Sequence, residues 1–245
     1  MERKEFGTHV SATYNQYLED LFNQVLEMGS LVERQLEAAV SSVQSADSDK
    51  AHEVIQLDKL INREEMEIDR LCVRVLARQQ PTASDLRLII STIRMAVDLE
   101  RMGDEVVKIA RLVLRLNEIG NSTCRDLQGY KQLIEISARA ADMLKKALNA
   151  FTRLDVVDAS LVIEEEERVD ELFAVAMSEV TDRFKETNHD VECLLELVYA
   201  LRASERITDH ARNMAESIIY LVNGQDMRNM DADALSAFLQ TLERK

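Results

Sequence analysis

The stretch SDLRLIISTIRMAVDLERMGDEVV, residues 84–107, decides how this chain is read. It holds no proline, and its apolar residues recur at steps of four and three, through Leu86, Ile90, Ile93 and Val97 to Val107, the spacing of one face of an α-helix. Glu100 and Asp104 interrupt that stripe where the spacing calls for apolar side chains. Moved on by 105 residues, Glu100-Arg101 falls on Glu205-Arg206, Asp104 on Asp209, and Ile90, Ile93 and Leu116 on Leu195, Val198 and Leu221.

The recurrence reaches back through the preceding sequence at an offset of 108, pairing Gln24 with Gln132, Leu36 with Leu144, Ile55 with Ile163, Asp58 with Glu166 and Asn62 with Asp170. The three-residue loss falls where Gln79-Gln80-Pro81-Thr82 faces Thr187-Asn188-His189-Asp190, and turns tolerate deletions. Breakers and caps divide the chain into helices over 11–45, 48–79, 83–117, 126–153, 156–186 and 190–222, with Thr82 and Asp85 resembling a capping box. The expected fold is all-α, two repeated three-helix bundles made of six long helices: 1–120 is the first, and 121–245 the second with a short tail after Gly224.

Composition agrees. Only 6 Gly and 1 Pro occur in 245 residues, and aromatics at 4% without Trp disfavour a β-sandwich or barrel. A net charge of −15 repels phosphate backbones and anionic lipid, which argues against nucleic-acid binding. Cys72, Cys124 and Cys193 are odd in number, widely spaced and without a CxxC pair, which suits a reducing compartment better than a disulfide framework, so a cytoplasmic location is expected. Met1 to Val10 lacks the apolar core of a signal peptide and no stretch is apolar enough to span a bilayer, so any membrane connection is expected to run through a partner.

The second helix runs Ala51, Ile55, Asp58, Asn62, Glu65, Asp69, Cys72, Leu76 at the same spacing, again with acids on the apolar stripe. Its counterpart reads Ala159, Ile163, Glu166, Asp170, Phe173, Met177, so the polar interruption recurs at aligned positions. In an antiparallel hairpin, residues at one level lie symmetrically about the turn. Asp58 with Asp104, and Asn62 with Glu100, are both symmetric about position 81, the single proline. Glu166 with Asp209, and Asp170 with Glu205, are symmetric about the junction of Thr187 and Asn188. Glu65 and Asp69 fail the same test, since they face Val97 and Ile93.

Each hairpin is thus expected to gather four oxygen-bearing side chains: Asp58, Asn62, Glu100 and Asp104 in one, Glu166, Asp170, Glu205 and Asp209 in the other. Burying an unpaired carboxylate costs several kcal/mol by order of magnitude, so such a group neutralises, pairs with a cation or binds a metal. Oxygen donors point to divalent ions, singly or in a multinuclear centre, drawn from Mg, Mn, Fe, Ca and Zn. The competing reading is pairing with Arg101 and Arg206 in a metal-free structural adaptor. His210 follows Asp209 but points to a neighbouring face. A di-iron carboxylate enzyme would need paired Glu-x-x-His motifs, and Glu186 to His189 stands without a partner.

The segments E-R-M-G-D (Glu100–Asp104) and E-R-I-T-D (Glu205–Asp209), together with R-Q-Q-P-T-A-S-D-L-R (Arg78–Arg87) and G-Q-D-M-R (Gly224–Arg228), resemble the PhoU family over nearly the whole chain. The resemblance implies two three-helix bundles, a homodimer and multinuclear metal sites on the repeated acidic motifs. It further implies a non-enzymatic negative regulator that couples the ATPase of a phosphate ABC transporter to the sensor histidine kinase PhoR. Asn62, where the second copy has Asp170, departs from the acidic pattern and implies a less negatively charged first site.

Overall fold

The computed structural model describes residues 7, 9, 11–120, 123–185 and 190–227. Six α-helices make up the described residues, with no strand: α1 (Ala12–Ser45), α2 (Ser48–Gln79), α3 (Ala83–Glu118), α4 (Gln128–Arg153), α5 (Val156–Arg183) and α6 (Val191–Asn223). A short 3-10 turn, Thr123–Asp126, precedes α4.

Local chemistry sets the ends. The first two helices of each copy are joined alike, by a left-handed residue and then an aspartate N-cap. Ala46 has φ 55° and Leu154 φ 52°. Asp47 then accepts from the Asp49 and Lys50 amides, and Asp155 from those of Val157 and Asp158. Asp190 caps α6 in the same manner. The turn between α2 and α3 departs from the expected capping box, because Thr82 makes no side-chain cap bond. Asp85 is buried instead and accepts from Tyr14 Oη at 2.9 Å, with His9 Nε2 at 3.0 Å, so the acid ties α3 to α1. The turn residues Thr187, Asn188 and His189 lie outside the described residues.

The helices form two layers, with α2, α3, α6 and α5 side by side and α1 and α4 behind them. At the centre α3 and α6 run antiparallel: Arg87 donates to the Leu221 carbonyl, Ser91 to that of Ser217, and Arg206 to Glu105. Behind, Phe22 stacks on Phe151 with ring centroids 4.2 Å apart, and Gly29 admits Leu148, which a Cβ there would strike at 2.3 Å. One continuous apolar core draws on all six helices. Arg87, which ends one motif segment, and Gly224, which begins the other, meet here. Arg87 packs beside Gly224, whose φ of 73° ends α6 in the left-handed conformation that glycine adopts without cost.

The cysteines overturn one expectation. Cys124, in the 3-10 turn, and Cys193, in the first turn of α6, are joined in a disulfide with Cα atoms 5.9 Å apart, while Cys72 is a buried free thiol. Their approach is made by packing between segments 69 residues apart, which linear spacing does not encode. No helix among the described residues is long and apolar enough to cross a membrane.

Candidate functional site

On α3 the acid-bearing stripe does not lie in the core seam, whereas on α5 Ala159, Ile163 and Glu166 of the corresponding stripe are buried. The core-facing residues of α3 include Leu88, Met95, Leu99, Met102 and Val106, all fully buried. The stripe from Leu86 to Asp104 is the adjoining flank, where Leu86 and Val97 are exposed and Glu100 and Asp104 half-buried. A helix that touches more than one neighbour carries two adjacent apolar stripes with the same four-and-three spacing. Glu100 and Asp104 therefore line the rim between hairpin arms, close to solvent on one side.

In the first copy, α2 supplies Asp58 and Asn62 and α3 supplies Glu100 and Asp104. Burial, and then the nearby Asp104, push the Asp58 carboxyl above its ordinary range, against opposing effects from Gln35 and Arg111. Glu100 is raised by burial and by Asp104, while Arg101 works the other way and Glu65 and Asp58 add to the repulsion. These three carboxylates thus share one electrostatic neighbourhood, and Glu65, which the level test set aside, borders it. Asp69 is exposed. Arg101 lies 3.5 Å from Glu100 and 3.7 Å from Asp104, too long for strong hydrogen bonds, and its side chain is mostly in solvent.

Whether this cluster fits a cation is answered by its oxygens. Asp58 Oδ1 and Asn62 Oδ1 are both buried without a hydrogen-bond partner. Leaving such an acceptor unsatisfied costs roughly 1–3 kcal/mol, and only a donor or a cation removes that cost. The donor set, carboxylates with one amide oxygen, matches hard divalent ions.

In the second copy, Glu166 and Asp170 from α5 and Asp209 from α6 each place one carboxylate oxygen within 4.8 Å of the others. Glu166 is buried, Asp209 half-buried and Asp170 exposed. Burial, with repulsion from Glu205 and Asp170, lifts the Asp209 pKa to about 6. Burial is also the main cause that raises Glu205, which Arg202 holds at 3.2 Å. Three carboxylates gathered at this distance fit a cation as well.

Sequence reasoning missed the basic residue closest to this cluster. Arg212 donates to Glu166 at 2.7 Å and to Glu216 at 3.3 Å. It stands three residues after Asp209 and so on the same helix face, a spacing that was there to be read. The arginines that were singled out behave differently, since Arg206 bonds Glu105 across the α3–α6 contact and not a carboxylate of its own cluster. His210 Nδ1 meets Asp98 at 3.0 Å on α3, away from the three acids. Glu186 and His189 lie outside the described residues.

Comparison with known proteins adds an independent line. The family model described as PhoU domain matches residues 25–113 and again 133–218, one match per copy. The chain is 41% identical to the phosphate-specific transport system accessory protein PhoU homolog of Pseudomonas putida, covering 98% of this chain and 92% of the relative. It is 33% identical to the Escherichia coli phosphate-specific transport system accessory protein PhoU, covering 98% and 97%. The crystal structure of PhoU from Pseudomonas aeruginosa superposes with a TM-score of 0.82 at 43% identity, covering 86% of this chain and all of that one. That of the phosphate transport system regulatory protein PhoU from Streptococcus pneumoniae gives 0.77 at 28% identity, covering 85% and 96%.

Proposed function

Because the chain belongs to the PhoU family, we propose that it serves a phosphate transport system as an accessory and regulatory protein, a binding scaffold and not an enzyme, whose two oxygen clusters hold divalent cations. Asp58, Asn62, Glu100 and Asp104 would hold one, and Glu166, Asp170, Glu205 and Asp209 the other. The bound ions would supply positive charge that neutralises the rim and lets both hairpins stay closed. In this reading the protein acts in the cytoplasm as a homodimer. It contacts the ATPase of a phosphate ABC transporter and the sensor histidine kinase PhoR, and it restrains uptake and the phosphate-starvation regulon when phosphate is plentiful.

The observation that carries the cation reading is the gathering of Glu166, Asp170 and Asp209 oxygens within 4.8 Å on the second hairpin, with buried, unsatisfied Asp58 and Asn62 oxygens at the aligned positions of the first. Equilibrium dialysis of the full chain against Mn²⁺ is expected to give saturable binding that falls when Asp104 and Asp209 are changed to Ala. Absence of saturable binding sinks it. The adaptor role is tested by co-purification with the transporter ATPase and the kinase at high and low phosphate, and fails if neither partner is retained under either condition.

One observation favours a metal-free reading for the second copy. Arg212 already neutralises Glu166 from a partly buried position, so that cluster has a counter-charge of its own. Binding confined to the first copy would support that alternative there.

A further inference from the structure

Gln35 brings to the first cluster an oxygen that the second copy lacks. It sits on α1, is fully buried, and its Nε2 donates to the carbonyls of Val54 at 3.1 Å and Gly103 at 3.4 Å. These two acceptors fix which way the amide points, because the reverse orientation would set the side-chain oxygen against two carbonyl oxygens. Oε1 is thereby held on the far side, buried and without a hydrogen-bond partner.

What Oε1 meets there is the cluster. A Cβ added at Gly103 would lie 3.3 Å from Gln35 Oε1, 3.3 Å from Asp58 Oδ1 and 3.4 Å from Ile61 Cδ1, so both partnerless oxygens border the glycine of E-R-M-G-D. Each is a buried acceptor left without a partner, and a cation reached by both would satisfy the two at once, beyond what the Gln35 amide already gives Asp58. Gly103 has the role of leaving the room. In the second copy the aligned residues are Met143, whose thioether is at best a weak acceptor, and Thr208, whose hydroxyl turns back to the Glu205 carbonyl at 2.6 Å.

We propose that Gln35 Oε1 is an inner oxygen donor to a divalent cation held by Asp58, Asn62, Glu100 and Asp104, which makes the first cluster a mixed carboxylate and amide site unlike the second. The inference rests on the cation-binding reading above. Neutral oxygens beside carboxylates are the donor set of hard ions such as Mg²⁺, Ca²⁺ and Mn²⁺. Gln35 reaches the cluster from the back, through the core, so the site is closed on the side that faces α1.

The test uses the full chain and Mn²⁺ alone, followed by calorimetry and by electron paramagnetic resonance of bound Mn²⁺. Gln35→Met copies the second copy's residue at matched size. It is expected to weaken one class of site by roughly tenfold to a hundredfold, to change the resonance of that class only, and to leave the melting temperature in chelator undiminished. Gly103→Ala, which sets a methyl group between the two oxygens, is expected to weaken the same class and supplies the answer should the first variant misfold. Wild-type protein with two classes of site and a folded variant identical in both overturns the role of Gln35 alone. Wild-type protein that binds no Mn²⁺ overturns the cation reading with it.

Discussion

The two hairpins α2–α3 and α5–α6 descend from one pattern and solve the same electrostatic problem by different means. In the second, Arg212 grips Glu166, so the most buried carboxylate of the cluster has an internal counter-charge. In the first, the position aligned with Arg212 is Val107, and Asp58 is favoured only by the Gln35 amide and, through space, the exposed Arg111, while Gln35 and Asn62 carry unsatisfied amide oxygens. A buried carboxylate must be compensated, and the same backbone frame accommodates a guanidinium in one copy and an oxygen-lined recess in the other. The second hairpin is also stapled by Cys193, whose aligned residue in the first is Leu88.

That staple gives the largest expected asymmetry. It closes a loop of 69 residues, and reducing it, or changing Cys124 to Ser, is expected to cost about 4 kcal/mol on the chain-entropy scale. Urea denaturation with and without reductant measures this. Equal unfolding midpoints would remove the staple from the comparison.

Next in size is Arg212→Met, which strands Glu166 without its charge partner and is expected to cost about 3 kcal/mol in chelator. Arg111→Met in the first copy is expected to cost far less, since that side chain is exposed. Saturating Mn²⁺ should restore part of the Arg212→Met loss if an ion takes the guanidinium's place at Glu166. Equal losses for the two arginine variants would erase the distinction between the copies.

The smallest effect is in pH. Asp209, with its pKa lifted to about 6 in the folded chain, holds its proton more tightly than the unfolded chain does. Its contribution to metal-free stability is therefore full below the ordinary carboxylate range and is lost as pH rises through about 6. Melting in chelator should drop as pH goes from 5 to 7.5, and Asp209→Asn should flatten that slope. Mn²⁺ binding at the second copy should strengthen over the same interval, because the carboxylate must ionise to bind. A slope unchanged in Asp209→Asn would mean that another group sets it.

Periodicity made the six helices legible almost to the residue, because few breakers interrupt the chain and aspartates stand at the starts of α2, α5 and α6. A hairpin folded at Pro81 sets Asp58 and Asp104 at one level by symmetry, and Asp104 is among the charges that Asp58 feels. Which side of α3 faces the core was misread, as two adjacent stripes share one spacing and Glu100 and Asp104 lie on the outer one. Asp85 read as a cap in sequence and became a buried acceptor for Tyr14, since α1 arrives from elsewhere in the chain.

What the sequence determined alone is the local and the repeated: helix lengths, turn positions, a twofold copy, and four oxygen-bearing residues on each hairpin. Only the tertiary structure decided that α3 and α6 lie side by side, that Cys124 reaches Cys193, that Arg212 takes Glu166 and that Gln35 looks through the core at Asp58. Intrahelical hydrogen bonds are closed within four residues and so are written in local order. Contacts between helices depend on which faces are buried together, a choice made by the whole core at once.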